Sequence, residues 1–456
     1  MNDKCDGFGY KRLIWILMVF GLFVGLLEGV MAQEKVLTVP TLVSGPVQGH
    51  TTDTTTKIWL LTRYIDELNI SLYNDKGETM PIKKYDKQCT FDAYCNFILT
   101  FSGLTANTTY RYEIVLSDKE TVSGTIKSLQ STEMGAFSFL IASCAYIPDK
   151  KRQHLTPGIN KKSYRTAAKT DADFMVWMGD NHYFRDGEWR NNEAMFKRYI
   201  HTRTYKPMMT ALQSKPQYSV WDDHDYGANN GGTNFANKDY ALSLFKQFWA
   251  NPSYGSNDTK GVFCHFSYQD ADFFLLDGRF HKEAYTDSTG TILGKEQMKW
   301  LRETLKKSTA TFKFIVCGVQ FINTKQFRDF ETEGFGQYTN TQEELFTMLE
   351  EENIKGVIFL SGDRHFSQLY CYKRPQSYDL YEITSSSISS FSLAFPPFPI
   401  TEKNSPNVVP KTLYWPSNFG EVCIDGEKDN RKCVVKIKNK RGGVVWTKTL
   451  HQSDLE

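Results

Sequence analysis

Four apolar stretches of the sequence each end in residues that can bind a metal ion. A carboxylate, an imidazole or a thiol at the end of a buried strand needs partners or solvent, so packing alone does not explain four such ends. Ligands of α/β sheets bind just outside the carboxyl ends of strands. The stretches are 137–142, 174–178, 218–221 and 356–361, and they run into Ser143-Cys144, Gly179-Asp180-Asn181-His182-Tyr183, Asp222-Asp223-His224-Asp225 and Gly362-Asp363-Arg364-His365. Their number favours one shared metal centre over four unrelated solvated loops.

The residue types indicate a centre with mixed ligands. Carboxylate and phenolate oxygens suit hard ions such as Ca²⁺ or Fe³⁺, whereas sulfur and nitrogen suit iron or zinc. Asp180 lies between the cysteine-bearing end and the Asp-Asp-His end, so we expect it to bridge two ions. Two ions a few ångströms apart can lower the pKa of a bound water and hold a phosphate for in-line attack.

The ligand types also predict which metals are bound. Tyr183 and Cys144 near one ion favour Fe³⁺, because phenolate and thiolate both donate charge into it. The neighbouring ion, held mostly by oxygens of Asp180 and Asp223 with Asn230 as a further candidate, is expected to be harder and more exchangeable. We therefore predict two or more metal ions, Fe³⁺ with Ca²⁺, with Zn²⁺ or Mn²⁺ as alternatives.

The elements that position these residues alternate between strands and helices from about residue 135, which predicts a layered α/β domain. Helices are predicted over 191–202 and 295–307, and a capping box over 341–344 is expected to begin a third. Further buried strands are expected over 272–277 and 312–318. The tail, from about residue 405, has hairpin-like strands that we expect to complete the sheet of this domain.

The first 32 residues have the pattern of a secretory signal peptide. Lys11 and Arg12 precede an apolar run over 13–27, and small residues before Gln33 offer a cleavage site. The alternative is an uncleaved anchor. A signal peptide predicts export to a periplasm, a cell surface or the medium, without a membrane span after cleavage. The net charge of +2 gives no argument for binding nucleic acid or a membrane.

Residues 33–130 are predicted to form a separate β domain. Threonine and valine are frequent there, and strands are expected over 57–61 and 110–116, with 104–109 as a turn. The leucine, the small polar turn and the Tyr-x-Tyr strand resemble those of a fibronectin type III domain. A packing or spacer module is the preferred interpretation.

Cysteine spacing predicts two disulfides in an oxidising compartment. Cys89 and Cys95 lie in a turn-rich stretch, and Cys423 and Cys433 flank a predicted hairpin turn. Three others lie on apolar strands, where they are expected to be buried free thiols or to include one bridged pair; they are Cys264, Cys317 and Cys371.

The order of the four metal-binding motifs, together with Asp277-Gly278-Arg279 and the stretch 293–301, resembles the PhoD-like alkaline phosphatases. These belong to the calcineurin-like metallophosphoesterases. The resemblance covers about residues 40–450. It implies an α/β fold, a four-layer α/β/β/α sandwich preceded by a small fibronectin III-like β-sandwich. The expected domains are 1–32 (signal peptide), 33–130 (β-sandwich) and 131–456 (phosphatase).

The resemblance also implies roles for individual residues. His224 lies where the superfamily has the histidine that protonates the leaving group, and Asp223 lies where it has an asparagine ligand. Arg279 matches an arginine that could hold phosphate oxygens, although a buried pair with Asp277 is equally plausible. The residues that match metal-ligand positions are Cys144, Asp180, Tyr183, Asp363 and His365.

Two further residues are candidates for binding substrate. They are Asn230 and His182, with a supporting hydrogen bond to the site or an ordinary surface position as alternatives for His182. The superfamily usually opens with Asp-x-His, which is Ser143-Cys144 here, as in the PhoD-like group. Residues 314–320 offer no histidine, which implies that the second metal site is weaker or is filled by calcium.

The predicted function is therefore that of an exported phosphoesterase, which attacks phosphate mono- or diesters with a metal-activated hydroxide. Its substrate could be a small molecule or a polymer. The alternative is a calcium-stabilised surface or adhesion protein without catalytic activity. That alternative explains the acids but has no use for Cys144, Tyr183 or His224. The sequence does not predict the oligomeric state.

Overall fold

The structure is a computed structural model that describes residues 41–117, 120–130, 134–149, 161–284, 290–322, 326–327, 330–331, 333–390 and 406–456. The predicted signal peptide, residues 1–32, lies outside the described residues. No helix of these segments is long and apolar enough to cross a membrane.

The N-terminal part of the described chain is a β-sandwich. Its strands are β1 (Thr41–Thr51), β2 (Thr55–Arg63), β3 (Asn69–Tyr73), β4 (Ile82–Cys89), β5 (Tyr94–Ser102), β6 (Thr109–Ser117) and β7 (Glu120–Lys127). One sheet has the order β1-β2-β5-β4 and the other has the order β3-β6-β7. This four-plus-three order is that of constant-type immunoglobulin domains, whose sandwich architecture fibronectin type III domains share. A domain boundary near residue 130 stays a prediction.

Two six-stranded mixed sheets form the centre of the larger part. The first has the order β10-β9-β8-β19-β20-β21 and the second has the order β11-β12-β13-β16-β18-β17. The C-terminal strands join the first sheet, as the sequence predicted. The bounds are β8 (Phe137–Ala142), β9 (Phe174–Met178), β10 (Gln217–Val220), β11 (Cys264–Tyr268), β12 (Ala271–Leu275), β13 (Phe312–Cys317), β14 (Gln326–Phe327), β15 (Phe330–Glu331), β16 (Val357–Ser361), β17 (Ser367–Tyr372), β18 (Leu380–Ser385), β19 (Asn418–Asp425), β20 (Lys432–Asn439) and β21 (Val444–His451).

The helices cover the outer faces of the two sheets. Those of the first sheet are α1 (Lys161–Lys169), α2 (Asn192–Arg203), α3 (Lys206–Leu212), α4 (Asp223–Tyr226) and α5 (Lys238–Phe248), and those of the second are α6 (Lys295–Lys307) and α7 (Thr339–Glu351). Helix α6 forms where expected, because Met298, Leu301 and Leu305 recur at helical spacing and are all buried. Gly294, with φ +75°, precedes its first turn.

Alternation along the strands divides the apolar side chains among three cores. Phe139 of β8 points between the two sheets, where its ring lies 5.0 Å from those of Phe273 and Phe314. Leu140, the next residue, packs instead with the helices of the first sheet. Phe274 and Ile315 of the second sheet pack with α6 and α7. The layers are therefore helix, sheet, sheet and helix, which confirms the predicted four-layer α/β/β/α fold.

The predicted capping box at Thr341 is wrong. Helix α7 begins at Thr339, and the N–H of Gln342 already donates to the carbonyl of Tyr338 at 2.9 Å. Thr341 therefore lies inside the first turn, where its side chain is buried. The Thr-x-x-Glu spacing alone did not locate the start of the helix, because the chain enters it from the preceding turn of 3₁₀ helix, Phe335–Gln337.

One of the two predicted disulfides is confirmed and the other is wrong. Cys89 and Cys95 face each other across β4 and β5 and are bonded. Cys423 and Cys433 are free, because Cys423 pairs with Val434 while Cys433 pairs with Ile424. Since neighbouring residues of a strand point to opposite faces, this register puts the two thiols on opposite sides of the sheet. The other three strand cysteines, Cys264, Cys317 and Cys371, are also free.

Peptide mapping without reduction tests this register. After free thiols are alkylated in denaturant, we expect Cys89 and Cys95 to remain in one cross-linked fragment. Cys423 and Cys433 should both carry the alkyl label, because no rotation of either side chain brings one thiol through the sheet to the other. A fragment of native protein that links Cys423 to Cys433 would contradict the register of β19 and β20.

Candidate metal centre

The carboxyl ends of strands from both sheets meet at one edge of the sandwich. Gly362, which follows β16, fits there because it has no side chain: a Cβ at this position would lie 2.4 Å from the carbonyl oxygen of Met178, at the end of β9. Gly179 follows Met178 with φ +79°, a left-handed conformation that glycine adopts without strain. The residues that come next in each loop therefore face one another.

Four of the six predicted metal ligands have left-handed backbone conformations. The φ angles are +54° at Cys144, +53° at Asp180, +63° at Asp363 and +56° at His365. Such angles are uncommon for residues with a side chain and cost about 1–3 kcal/mol each. Strain of this kind concentrates at functional sites, and at each of these positions it turns the chain sharply after the strand.

One group of donor atoms contains sulfur, oxygen and nitrogen. Cys144, Asp180 and His365 each place a donor atom within 4.8 Å of the others. The Tyr183 hydroxyl joins them, since it lies 2.7 Å from Asp180 Oδ2 and 3.1 Å from His365 Nε2. Cys144 Sγ is 3.5 Å from the same Asp180 oxygen. We refer to these four residues as the sulfur-containing group.

A second group contains Asp180, Asp223 and His224, whose donor atoms also lie within 4.8 Å of one another. We refer to these three residues as the oxygen-rich group. Asp223 is oriented by the backbone N–H of Asn230, which donates to Oδ2 at 2.8 Å. The backbone N–H of His224 lies 3.3 Å from Asp180 Oδ1. Asp180 is thus common to both groups.

Asp363 is the predicted ligand that neither group includes. Its carboxylate lies 3.9 Å from Arg364 Nη1. Burial raises the pKa of Asp363 to about 7, although Arg364 opposes this shift. The structure thus brings together five of the six predicted metal ligands, and places Asp363 beside them in the same loop as His365.

The electrostatics of the site fit a bound cation. Burial, followed by the charge of Asp223, raises the pKa of Asp180 well above its usual value. Burial and the charge of Asp180 likewise raise the pKa values of Tyr183 and Cys144. A cation beside these three donors would stabilise their anionic forms, and thiolate, phenolate, carboxylate and imidazole are together a donor set for metal ions.

Asp225 fixes the two acidic loops to each other. Its Oδ1 accepts from the backbone N–H of Asp222 at 2.5 Å, and its Oδ2 accepts from the backbone N–H of Asn181 at 3.1 Å. Asp225 is fully buried, and burial raises its pKa to about 7. The loop after β9 is thereby held against the loop after β10.

The structure corrects the prediction for Arg279. Its side chain is fully buried, Nε donates to Asp222 Oδ1 at 2.6 Å, and Nη1 and Nη2 donate to the two carboxylate oxygens of Glu333 at 2.5 and 2.9 Å. Burial opposes the guanidinium charge, but these carboxylates outweigh it and raise the pKa of Arg279 well above its usual value. The fork is therefore occupied and does not face a phosphate. The alternative, a buried ion pair of Arg279 with Asp277, is also wrong, because the aspartate that pairs with the guanidinium is Asp222. Asp277 accepts instead from the backbone N–H of Arg279.

His182 is placed differently from the predicted substrate contact and from the alternative surface position. Its ring is buried, with its centroid 4.8 Å from that of Phe184 and 4.2 Å from that of Tyr199. Burial, followed by the charge of Arg198, lowers its pKa well below the usual value. His182 packs among aromatic rings, so neither a substrate contact nor a surface position describes it. Its Nε2 is buried without a hydrogen-bond partner among the described residues, so the structure shows no supporting hydrogen bond from that atom either.

Asn230 lies at the exposed border of the oxygen-rich group. Its backbone carbonyl accepts from Lys282 Nζ at 2.7 Å, and its side-chain oxygen accepts from Asn229 at 3.0 Å. The contact that the structure shows with Asp223 comes from its backbone, and its exposed side chain remains a candidate for substrate.

The sequence analysis missed three residues beside the site. Arg364 is the guanidinium next to Asp363, with about a fifth of its side chain exposed. Ser386 Oγ lies 2.9 Å from Cys144 Sγ, and Ser390 Oγ lies 3.1 Å from the Tyr183 hydroxyl. A signal for the serines existed, because β18 ends in a run rich in serine, residues 384–390.

Comparison with known proteins assigns the chain to a family. The family model for PhoD-like phosphatases matches residues 139–433, which is more than half of the chain. The chain belongs to the PhoD-like phosphatase family. Alkaline phosphatase D of Bacillus subtilis (strain 168) is 22% identical over an alignment of 318 residues, and the match covers 58% of this chain and 52% of that protein. The match thus spans about half the length of this curated relative.

Solved structures show the same fold. The structure of PhoD superposes with a TM-score of 0.71 at 15% sequence identity and covers 92% of both chains. The purple acid phosphatase PPD1 from yellow lupin (Lupinus luteus) seeds superposes with a TM-score of 0.67 at 10% identity, over 91% of this chain and 74% of that one. At these identities the similarity concerns the fold alone, and it agrees with the four layers described above.

Replacement of Arg279 tests its structural role. Arg279→Ala leaves Asp222 buried without its cation and leaves Glu333 with Lys282 as its remaining ion-pair partner, so we expect the free energy of unfolding to fall by about 3–5 kcal/mol. Denaturant titration measures this change. Arg302→Ala, which removes a partly exposed ion pair with Glu352, is the matched control and should change stability little. Unchanged stability of Arg279→Ala with a raised KM for phosphate esters would instead support the phosphate-binding role.

Proposed function

We propose that the protein is an exported, metal-dependent phosphoesterase that hydrolyses phosphate mono- or diesters. The observation that carries the proposal is that two donor groups share Asp180. The residues of these groups follow strands of two different sheets. Family membership supports a phosphatase. Bound cations would supply Lewis-acid activation of the attacking water and would neutralise charge on the phosphate.

The proposed ligands divide between two ions. Cys144, Tyr183 and His365 would hold the first ion, and a phenolate together with a thiolate favours Fe³⁺. Asp223 would hold the second ion, for which an oxygen-rich environment favours Ca²⁺. Asp180 would contribute to both, and Asp363 would approach from the loop of His365.

His224 is the proposed general acid. It is half-buried at the border of the site, and its ring centroid lies 4.3 Å from that of Tyr183. Two hydrogen bonds fix its backbone, since its N–H faces both Asp180 Oδ1 and Asp223 Oδ1, at 3.3 and 2.9 Å. The imidazole is thus positioned beside the ligands and is reachable from solvent, as protonation of a departing alkoxide requires.

Arg364 takes the role that the sequence suggested for Arg279. It is the partly exposed guanidinium of the Gly-Asp-Arg-His loop, adjacent in sequence to both Asp363 and His365. A guanidinium presents paired donors that match two phosphate oxygens. We propose that Arg364 binds the phosphate group of the substrate, with the side chain of Asn230 as a second contact.

Substitution of His224 tests the enzymatic function. Against a panel of phosphate mono- and diesters, we expect metal-loaded His224→Ala to lose about 10²–10⁴-fold in kcat, because a positioned acid contributes this much. Metal content, measured by elemental analysis, separates loss of the acid from loss of an ion. His281→Ala is a matched control, because His281 contacts Lys260 and Thr259 and no candidate ligand.

Two outcomes would contradict the proposal. If wild-type protein with its metals bound hydrolyses no ester of the panel, a calcium-stabilised binding protein becomes the better interpretation. Retention of configuration at a chiral phosphorus would exclude direct attack by water, since a single in-line displacement inverts the centre.

The metal assignment has its own test. We expect purified protein to be coloured through charge transfer from phenolate and thiolate to Fe³⁺, and to lose activity with a chelator and regain it with calcium. Tyr183→Phe should shift or bleach the visible band while the far-UV circular dichroism is unchanged, because it deletes one oxygen in a loop. A colourless, fully active preparation that contains only zinc would overturn the assignment of the metals and leave the proposed reaction standing.

A further inference from the structure

A serine-rich segment lines the sulfur-containing group. This segment, residues 385–390, begins at the last residue of β18, and its five serines are nearly or fully buried; they are Ser385, Ser386, Ser387, Ser389 and Ser390. The backbone fastens this segment to the end of β8. The N–H of Ile388 donates to Ser143 O at 2.9 Å, and the N–H of Ser390 donates to Cys144 O at 3.0 Å. The hydroxyls are therefore held at fixed positions beside the candidate ligands.

The hydroxyl of Ser386 has a defined direction. The backbone N–H of His365 donates to Ser386 Oγ at 2.9 Å, so the serine oxygen is the acceptor in that bond. Its own hydrogen then has Cys144 Sγ, 2.9 Å away, as its acceptor. Because Ser386 is fully buried, water does not compete for this hydrogen. Ser386 thus donates to the sulfur of one candidate ligand while accepting from the backbone of another.

Ser390 has the corresponding position beside Tyr183. Its Oγ lies 3.1 Å from the Tyr183 hydroxyl, which itself donates to Asp180 Oδ2 at 2.7 Å. A coordinated tyrosine loses its proton. The phenolate oxygen would then no longer donate to Asp180, but it would still accept from the Ser390 hydroxyl. Each of the two charge-donating ligands therefore has a serine donor in this segment, and Cys144 Sγ also has the Ser143 hydroxyl at 3.6 Å.

We propose that Ser386 and Ser390 are positioning residues that limit how much charge Cys144 and Tyr183 donate to a bound metal. A hydrogen bond to a coordinating sulfur or oxygen withdraws electron density from it, and such bonds tune metal centres. The inference rests on the proposed metal centre. It predicts that loss of either hydroxyl strengthens charge donation by its own ligand and leaves the other ligand unchanged.

Ser389 provides a matched control from the same segment. Its hydroxyl lies 2.8 Å from the Tyr164 hydroxyl and 3.0 Å from the carbonyl of Tyr146, and it contacts none of the candidate ligands in the structure. Ser389→Ala removes the same atom from the same buried run. It therefore reports what the loss of a serine hydroxyl does to the segment in general.

The experiment loads the wild type and the three serine-to-alanine variants with Co²⁺ and, separately, with Fe³⁺. In the cobalt proteins, we expect Ser386→Ala to shift the thiolate-to-metal absorption band to longer wavelength, and Ser390→Ala and Ser389→Ala to leave it in place. In the ferric proteins, Ser390→Ala should shift the phenolate band to longer wavelength. The midpoint potential of iron should fall in Ser386→Ala and Ser390→Ala, because a more strongly donating ligand stabilises Fe³⁺.

The outcomes separate this inference from the proposed function. Cys144→Ser identifies the thiolate band: if the band persists in that variant, the proposed centre is wrong. If Cys144→Ser removes the band but Ser386→Ala leaves both band and potential at the values of Ser389→Ala, the tuning role is wrong and the metal centre stands. Should Ser386→Ala fail to fold, the phenolate band of Ser390→Ala remains a test at the second ligand, and an unshifted band there overturns the inference.

Discussion

Repulsion among buried carboxylates is the constraint on which the rest of this structure depends. Asp180, Asp222, Asp223 and Asp225 are all at most 2% exposed, and burial together with the charges of the other three raises the pKa of Asp180. Each of these three has compensation of its own. Asp222 pairs with Arg279, and Asp225 accepts from backbone and amide N–H groups. Burial opposes ionisation of Asp223, but the charge of His224 and the N–H of Asn230 help to lower its pKa to about 2. Cations bound beside Asp180 would supply the positive charge that relieves its crowding.

The four-layer fold makes this crowding possible. Parallel strands of one sheet end at the same edge, and a second sheet stacked on the first brings a further set of strand ends to that edge. Gly362 allows the two sets to approach, because its missing side chain leaves room for the carbonyl of Met178. A single sheet would offer Asp180 and Asp223, whereas His365 and the serines beside Cys144 come from the second sheet. The helices on the outer faces contribute packing.

The sequence predicted the strands, the layered fold and five residues that meet in the site, because apolar runs that end in polar residues are visible without coordinates. It could not give the partners of Arg279, since Glu333 is distant in sequence and only the fold brings it near. Sequence also leaves open which side of a loop a residue faces, which is why His182 was assigned to the substrate and not to the packing beneath it. The register of β19 and β20 likewise decides that Cys423 and Cys433 stay apart, and spacing does not reveal register.

The two donor groups differ because different elements border them, yet Asp180 links them chemically. Its Oδ2 faces the Tyr183 hydroxyl and Cys144 Sγ, at 2.7 and 3.5 Å, while its Oδ1 faces the backbone N–H of His224 at 3.3 Å. Each oxygen of one carboxylate thus belongs to a different group. If two ions shared Asp180, the charge that one ion withdrew from this carboxylate would not be available to the other. Strongly donating ligands on the sulfur-containing side would reduce the charge that the first ion draws from Asp180, and would so leave more for the second. On this argument, if Cys144 and Tyr183 bind the proposed first ion as thiolate and phenolate, they would help to retain the proposed second ion without touching it.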